Sequence, residues 1–174
     1  MNKFREVIDK IMQFLNAVAF AFLTLLAVWQ VVTRYFLNNP STWSEELASY
    51  MFAWVTLLGS AYVFGNMEHM NIPILINRVS EKTRKILMII IQFIILAFAL
   101  VVLLYGGIQI TSLTMGQMSS SLGVPMGYFY LSLPVSGIFT AIYTVLNLYD
   151  IFNDKDEVVE ETPGKDLNNE KREM

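Results

Sequence analysis

The sequence predicts an all-α membrane protein with four transmembrane helices. Only 16% of its 174 residues are charged, against about 25% in an average soluble domain. Three stretches contain no Asp, Glu, Lys, Arg or His at all, namely residues 11–33, 47–67 and 86–149. About 20 apolar residues cross a bilayer core that is about 30 Å thick. The first two stretches are therefore predicted to hold one span each, and the third stretch to hold two.

Two other interpretations of these stretches are disfavoured. A soluble helix buries one stripe and exposes the opposite face to water, whereas Ile86–Gln109 is apolar on all sides. The first stretch follows three basic residues, as the apolar core of a signal peptide does. Its 23 uncharged residues are too many for such a core, which has about 7–15. We therefore expect this stretch to remain as a membrane anchor.

Basic residues at the span ends predict the orientation of the chain. The predicted spans are about 11–33, 47–67, 86–110 and 128–149. Three Lys or Arg residues precede the first span and four lie between the second and third spans, whereas the first loop has Arg34 alone and the third loop has none. Both termini are therefore predicted to be cytoplasmic, with the first and third loops outside.

The chain is predicted to divide into a transmembrane domain, residues 1–150, and an acidic tail, residues 151–174. From residue 150 onwards there are nine acids and four bases, a composition that cannot bury enough apolar area to order itself. Residues 4–11 and 72–84 each place apolar side chains on one helical face and charges elsewhere. This pattern predicts short amphipathic helices at the cytoplasmic membrane surface.

The spans lack side chains for catalysis or charge movement. Pumps, proton-coupled carriers and ion channels place ionisable groups within their spans, and the predicted spans have none. The chain has no cysteine, and its single histidine, His69, lies at a span end. Ten methionines could in principle ligate haem, but methionine more commonly fills packing gaps. We therefore predict a non-catalytic subunit of a larger complex, without a cofactor, a metal or a nucleic-acid partner.

Polar candidates for a partner interface lie in the first outward loop and on the second span. They are Arg34, Trp43, Glu45, Glu46, Ser49, Thr56, Gly59 and Ser60. The first four could form a charged patch for a partner, with Arg34 folded back towards the acids. They could also be an ordinary helix cap, with Thr42 and Glu45 at capping-box spacing, and a snorkelling arginine. Ser49, Thr56 and Ser60 form a small-residue stripe together with Ala53, and Gly59 lies beside it. Such a stripe favours close helix packing within the chain or with a partner.

The third loop and its flanks carry helix-breaking residues. Residues 111–127 are uncharged but rich in Gly, Ser and Pro, which predicts an irregular connection. Pro134 predicts a kink early in the fourth span, because proline removes a backbone donor and clashes with the preceding turn. Gly106 and Gly107 could allow a close helix contact in the third span.

These residues together resemble the small membrane subunit of TRAP transporters, the tripartite ATP-independent periplasmic carriers. The motifs are Arg34-Tyr35, Trp43-Ser44-Glu45-Glu46, Phe52-x-Trp54, Gly59, His69, Leu122-Gly123-Val124-Pro125, Tyr130 and Pro134. The resemblance covers about residues 5–150, with the same order of four spans. Many relatives have an arginine three residues after the acidic pair, where this chain has Ser49.

The resemblance implies a function in transport across the bacterial inner membrane. In this family a periplasmic binding protein captures an organic anion, such as a C4-dicarboxylate or a sialic acid. It delivers the anion to a large membrane subunit that moves it together with sodium. The small subunit would act as a scaffold for the large one, in contact with membrane lipids and without a sodium site of its own.

Two functions of other classes remain as alternatives to the transporter subunit. One is a membrane-anchor subunit of a respiratory enzyme complex. The other is an assembly or signalling protein whose working part is the acidic tail.

Overall fold

The computed structural model describes residues 2–66 and 81–153, and the regular elements of that part of the chain are helices. They are α1 (Asn2–Tyr35), α2 (Thr42–Gly65), α3 (Glu81–Phe98), π-helical turns (Ala99–Gly106), α4 (Gly107–Thr114), α5 (Gly127–Tyr130) and α6 (Ser132–Phe152). Four stretches of the described residues are long and apolar enough to cross a membrane. They are Arg5–Tyr35, Thr42–Gly65, Lys85–Thr114 and Gly127–Phe152, the first to fourth spans. The predicted fold of four transmembrane helices is confirmed.

The four spans pack as a row. Helix α1 packs along α2, α2 along α6, and α6 along the three parts of the third span. Within the described residues, neither α1 nor α2 packs along the third span. The fourth span lies inside the row, with 39% of its most apolar stretch buried, against 11% for the first span. The row therefore has two broad faces, on which large apolar side chains such as Phe14, Phe52 and Ile94 are exposed.

The two ends of this row differ in what they contain. The terminal end holds the start of α1, the end of α2 at Gly65, the start of α3 and the end of α6 at Phe152. The loop end holds residues 36–41 and 115–126. The assignment of the terminal end to the cytoplasm stays a prediction.

The fourth span approaches the third span at two glycines. A Cβ on Gly107 would lie 2.8 Å from Cδ of Pro134, and a Cβ on Gly137 would lie 2.9 Å from Cβ of Leu103. Both distances are shorter than a carbon–carbon contact, so a side chain at either position would push the helices apart. The predicted close contact therefore forms at Gly107, whereas Gly106 has no side chain of another helix within 4 Å of its Cβ position.

The fourth span consists of two helices, with its proline near the start of the second. Helix α5 ends at Tyr130, Leu131 follows, and α6 begins at Ser132. Pro134 therefore lies in the first turn of α6, where its missing N–H costs no helical hydrogen bond. Leu131 between the two helices keeps helical backbone angles, φ −58° and ψ −22°, so the kink stays a prediction.

The predicted surface helix at residues 4–11 does not form as a separate element. Helix α1 is continuous from Asn2 to Tyr35. Ile8 is buried in one core cluster with Met12, Leu58, Ala61 and Tyr143, so this segment packs on the second and fourth spans. Of the predicted surface helix at 72–84, residues 72–80 lie outside the described residues and residues 81–84 begin α3. The tail after residue 153 also lies outside them.

Candidate partner interface

A short hairpin joins the first two spans at the loop end. Helix α1 ends at Tyr35 and α2 begins at Thr42. Asn38 adopts a left-handed conformation with φ of 48°, which its short polar side chain tolerates. Nε2 of Gln30 donates a hydrogen bond of 2.9 Å to the carbonyl oxygen of Ser44, which ties the two helices together just below the turn.

The predicted cap of α2 is wrong in its details. The N-cap residue is Ser41, and its side chain makes no capping hydrogen bond. The hydroxyl of Ser44 instead donates to the carbonyl oxygen of Ser41 at 2.9 Å. Because the helix begins at Thr42, both Glu45 and Glu46 lie inside its first turns.

Arg34 and Glu45 both face outward at the loop end. Each is exposed, and in the described structure Arg34 forms no ion pair with Glu45 or Glu46. The hairpin therefore does not bring the arginine back to the acids. Two unneutralised charges of opposite sign remain available to another molecule.

Glu46 binds the third loop of its own chain. The backbone N–H of Ser121 donates to Oε2 of Glu46 at 2.9 Å, and the hydroxyl of Tyr50 donates to Oε1 at 3.4 Å. The loop is itself closed by backbone hydrogen bonds between Ser119 and Val124 and between Met126 and Gln117. The sequence grouped Glu46 with Glu45, but the structure gives Glu46 an intramolecular contact.

Trp43 lines an open cavity between the ends of the first two spans. The cavity has a volume of about 560 Å³. Its lining residues are Trp29, Thr33, Leu37, Asn39, Pro40, Ser41, Thr42 and Trp43. Trp29 and Trp43 are each 45% exposed, a position that suits the aromatic belt of a membrane protein.

The small-residue stripe of the second span is mostly exposed, and Gly59 at its edge meets the first span. Exposed residues recur along α2 at steps of three and four, and we call them the α2 outer face: Glu45, Ser49, Phe52, Thr56 and Ser60. Gly59 lies at the edge of this face and packs towards α1, since a Cβ there would lie 3.6 Å from Oδ1 of Asn16 on α1. The stripe therefore serves packing within the chain only at Gly59.

The hydroxyls of the α2 outer face bond to their own helix. Oγ of Ser49 donates to the carbonyl oxygen of Glu45 at 3.0 Å, and Oγ of Ser60 donates to that of Thr56 at 2.7 Å. Such bonds satisfy the hydroxyls without a partner and keep the side chains close to the helix. A second helix could approach this face closely.

A polar cluster at the terminal end was missed by the sequence analysis. Arg5 donates to Oδ2 of Asp150 at 3.2 Å and to the carbonyl oxygen of Gly65 at 2.7 Å. The hydroxyl of Tyr143 donates to Oδ1 of Asp9 at 2.6 Å. We call Arg5, Asp9, Tyr143 and Asp150 the terminal cluster. Arg5 and Asp9 are one turn apart on α1, but a single sequence does not show which distant residues they meet.

Within residues 2–66 and 81–153, no group of three or more His, Cys, Asp or Glu side chains could hold a metal ion. His69 lies outside the described residues. The polar groups described above form hydrogen bonds between helices and an ion pair between Arg5 and Asp150, and they leave exposed charges at the loop end.

The sequence is similar to small permease proteins of known transporters. It is 29% identical over 153 residues to the sialic acid TRAP transporter small permease protein SiaQ of Vibrio cholerae, covering 87% of each chain. It is 31% identical over 96 residues to the C4-dicarboxylate TRAP transporter small permease protein DctQ of Vibrio cholerae, covering 55% of this chain and 41% of that one.

A further relative is much longer than this chain. The sialic acid TRAP transporter permease protein SiaT of Haemophilus influenzae is 26% identical over 133 residues, which are 76% of this chain but 21% of SiaT. In that protein a region similar to this chain is part of one polypeptide with a larger permease sequence.

Residues 23–154 match the family described as tripartite ATP-independent periplasmic transporters, DctQ component. The match covers all of the second, third and fourth spans and residues 23–35 of the first. The chain is therefore a multi-pass protein of the bacterial inner membrane, and it belongs to the DctQ component family of TRAP transporters.

Proposed function

We propose that this chain is a non-catalytic scaffold subunit that holds the large permease of a sodium-coupled TRAP transporter in place. The observation that supports this role most is that the row of four spans lacks charged side chains at membrane depth. Residues 11–33, 47–67 and 86–149 contain none. Coupled transport requires ionisable or ion-binding groups at membrane depth. A stationary support requires apolar surfaces and tight helix contacts, which this chain has.

The transported substrate is an organic anion, in the class of sialic acids or C4-dicarboxylates. The names of the relatives SiaQ and DctQ support this class. We propose that a periplasmic binding protein delivers the anion, that the large permease moves it, and that sodium binds in the large permease. This chain then needs no cofactor.

The large permease is the principal partner. SiaT supports this proposal, because its region similar to this chain is covalently joined to further permease sequence. Two segments that are joined in one polypeptide in SiaT are expected to lie side by side, as two separate subunits do when they bind each other. The relatives also favour the transporter over the membrane anchor of a respiratory enzyme.

We propose that the α2 outer face contacts the large permease. Lipid tails gain nothing from Ser and Thr side chains, whereas small residues let a second helix approach closely and hydrogen-bond. Glu45 at the loop end of this face and Arg34 at the same end of the row would meet polar groups of the permease or of the binding protein. The orientation proposed with it places both termini in the cytoplasm and the loop end outside.

Reconstitution in liposomes tests the proposed function. We expect no transport by this chain alone, and sodium-dependent uptake of an organic acid when the large permease and the binding protein are added. The large permease without this chain is the matched control, and we expect it to show little uptake. Transport of an organic acid or an ion by this chain alone would overturn the scaffold role.

A further inference from the structure

The first span is the least buried of the four, and the terminal cluster supplies its link to the fourth span. Only 11% of its most apolar stretch is buried. Beyond its packing along α2, it reaches α6 at the terminal end through two polar contacts, Arg5 with Asp150 and Tyr143 with Asp9. Each contact joins α1 to α6 across more than 130 residues of sequence.

One side chain of this cluster joins three helices. The guanidinium of Arg5 contacts the carboxylate of Asp150 in the last turn of α6 and the carbonyl oxygen of Gly65 at the end of α2. Both α2 and α6 end here, and a cation near helix carboxyl ends is favoured by their dipoles and by the unpaired carbonyl groups. The side chains of Arg5 and Asp150 are 25% and 20% exposed, so the pair is partly shielded from water.

The second contact of the cluster closes over the core. Tyr143 is fully buried, and its ring lies so close to Gly65 that a Cβ there would be 2.5 Å from Cδ1 of the ring. Its hydroxyl reaches Asp9 at 2.6 Å. Ile8 lies between Arg5 and Asp9 in the sequence and is 8% exposed, in the same core cluster as Tyr143. The polar contacts of Arg5 and Asp9 therefore lie next to the buried apolar cluster that contains Ile8 and Tyr143.

We propose that the terminal cluster is a lock that fixes the terminal half of the first span against the fourth span. The lock can close only after the fourth span is in place, because Tyr143 and Asp150 both belong to α6. Opening it releases the terminal half of α1 and exposes Ile8. This inference does not depend on the identity of the transporter or of its substrate.

Labelling of a single cysteine tests the lock. The chain has no cysteine, so Ile8→Cys introduces one reporter thiol into the full chain, purified in detergent and exposed to a maleimide. We expect slow labelling in the otherwise unchanged chain and about tenfold faster labelling with Arg5→Gln or Asp150→Asn, because local opening controls access to a buried group. Tyr143→Phe, which keeps the ring and removes the hydroxyl, should give a smaller increase.

Lys10→Gln is the matched control, since it removes one positive charge from an exposed position of the same helix. We expect it to leave the labelling rate unchanged. The exchanged pair Arg5→Asp with Asp150→Arg should restore slow labelling in large part. Equal rates in Arg5→Gln, Asp150→Asn and Lys10→Gln would overturn the lock.

Membrane yield provides a second measurement if the single variants do not accumulate. Recovery of yield by the exchanged pair would then support the lock. Yield as low in the exchanged pair as in the single variants would overturn it.

Discussion

The contact between Gly65 and Tyr143 shows how single residues decide the distance between helices. The Tyr143 ring occupies the space that a side chain at position 65 would need. The ring atoms nearest to that space are Cγ and Cδ1. Because the ring is rigid, a shift of these atoms also moves the hydroxyl away from Asp9. The glycine therefore serves both the packing and the polar contact.

Gly65→Ala should destabilise the chain by about 1–3 kcal/mol, the usual range for overpacking a core. The added methyl group must displace the Tyr143 ring. Thermal unfolding of the purified chain in detergent measures the effect. Gly116→Ala is the control, because no atom lies within 4 Å of the Cβ position there. The same midpoint temperature of unfolding for both variants would show that the Tyr143 ring moves without loss of stability.

Glu46→Ala should loosen the third loop. The backbone N–H of Ser121 loses its carboxylate acceptor, and a hydrogen bond to a charged group is stronger than one between neutral groups. We expect hydrogen exchange in residues 115–126 to accelerate about tenfold or more. Glu45→Ala removes the neighbouring exposed acid and should leave this exchange unchanged. Equal protection in both variants would contradict the assigned role of Glu46.

The sequence did not predict the polar contacts between residues that are far apart along the chain. Glu45 and Glu46 are neighbours of identical type, yet one is exposed and the other binds a loop about 75 positions later. Helical spacing alone did not show that Gly59 meets α1 while Ser60 is exposed, because the side that meets α1 depends on how the helices pack. Pairs such as Arg5 with Asp150 depend on that packing as well.

Helix α2 has a buried inner side and an exposed outer side. Its inner residues Leu58, Ala61 and Gly65 are buried, and Trp54 donates from Nε1 to the carbonyl oxygen of Tyr128 at 3.2 Å. Within the described chain, the residues of the α2 outer face are exposed and no other helix covers them. By contrast, the exposed residues of the third span are mostly large and aliphatic or aromatic, as suits contact with lipid tails.

Thr56→Trp should weaken the binding of the large permease, because a bulky side chain keeps a second helix away from the α2 outer face. We expect about tenfold less permease recovered with the tagged chain, or about 1.4 kcal/mol of binding free energy. Val101→Trp on the third span is the control, since Val101 is 63% exposed and belongs to the proposed lipid-facing surface. Loss of binding with Val101→Trp alone would place the interface on the third span.

Among the elements, the length of the uncharged stretches predicted the spans well. The amphipathic pattern of residues 4–11 predicted a separate surface helix, which does not form. Each of the three uncharged stretches contains the helices expected of it. Residues 4–11 have the pattern of a surface helix, but the same apolar face can pack on other helices, as Ile8 does. A hydrophobic face shows that a segment is covered, and tertiary packing decides what covers it.

The whole molecule is a row rather than a closed bundle, with its most buried span inside and its least buried span at one edge. A closed bundle of four helices would hide its polar residues in one centre. Here the buried hydroxyls follow the fourth span instead, at Ser132, Ser136, Thr140 and Thr144, and bond to carbonyl groups of the same span. A row gives a partner a long edge or a broad face to bind.

Labelling from one side of the membrane should reveal the orientation. Asn39 and Asn153 are exposed at opposite ends of the row, and the chain has no native cysteine. We expect a membrane-impermeant maleimide to label Asn39→Cys in intact cells and Asn153→Cys only after the inner membrane is opened. The basic residues around the terminal end predict this result. Labelling of Asn153→Cys in intact cells would reverse the proposed topology.

The contact between Arg5 and Asp150 brings the beginning of the first span next to the end of the last one. A polypeptide joined after Phe152 would leave from the side of the membrane on which α1 starts, so it would begin with a segment crossing in the same direction as α1. An engineered single-chain transporter made in this order should therefore need only a short connector, provided that the permease keeps its own amino terminus on that side.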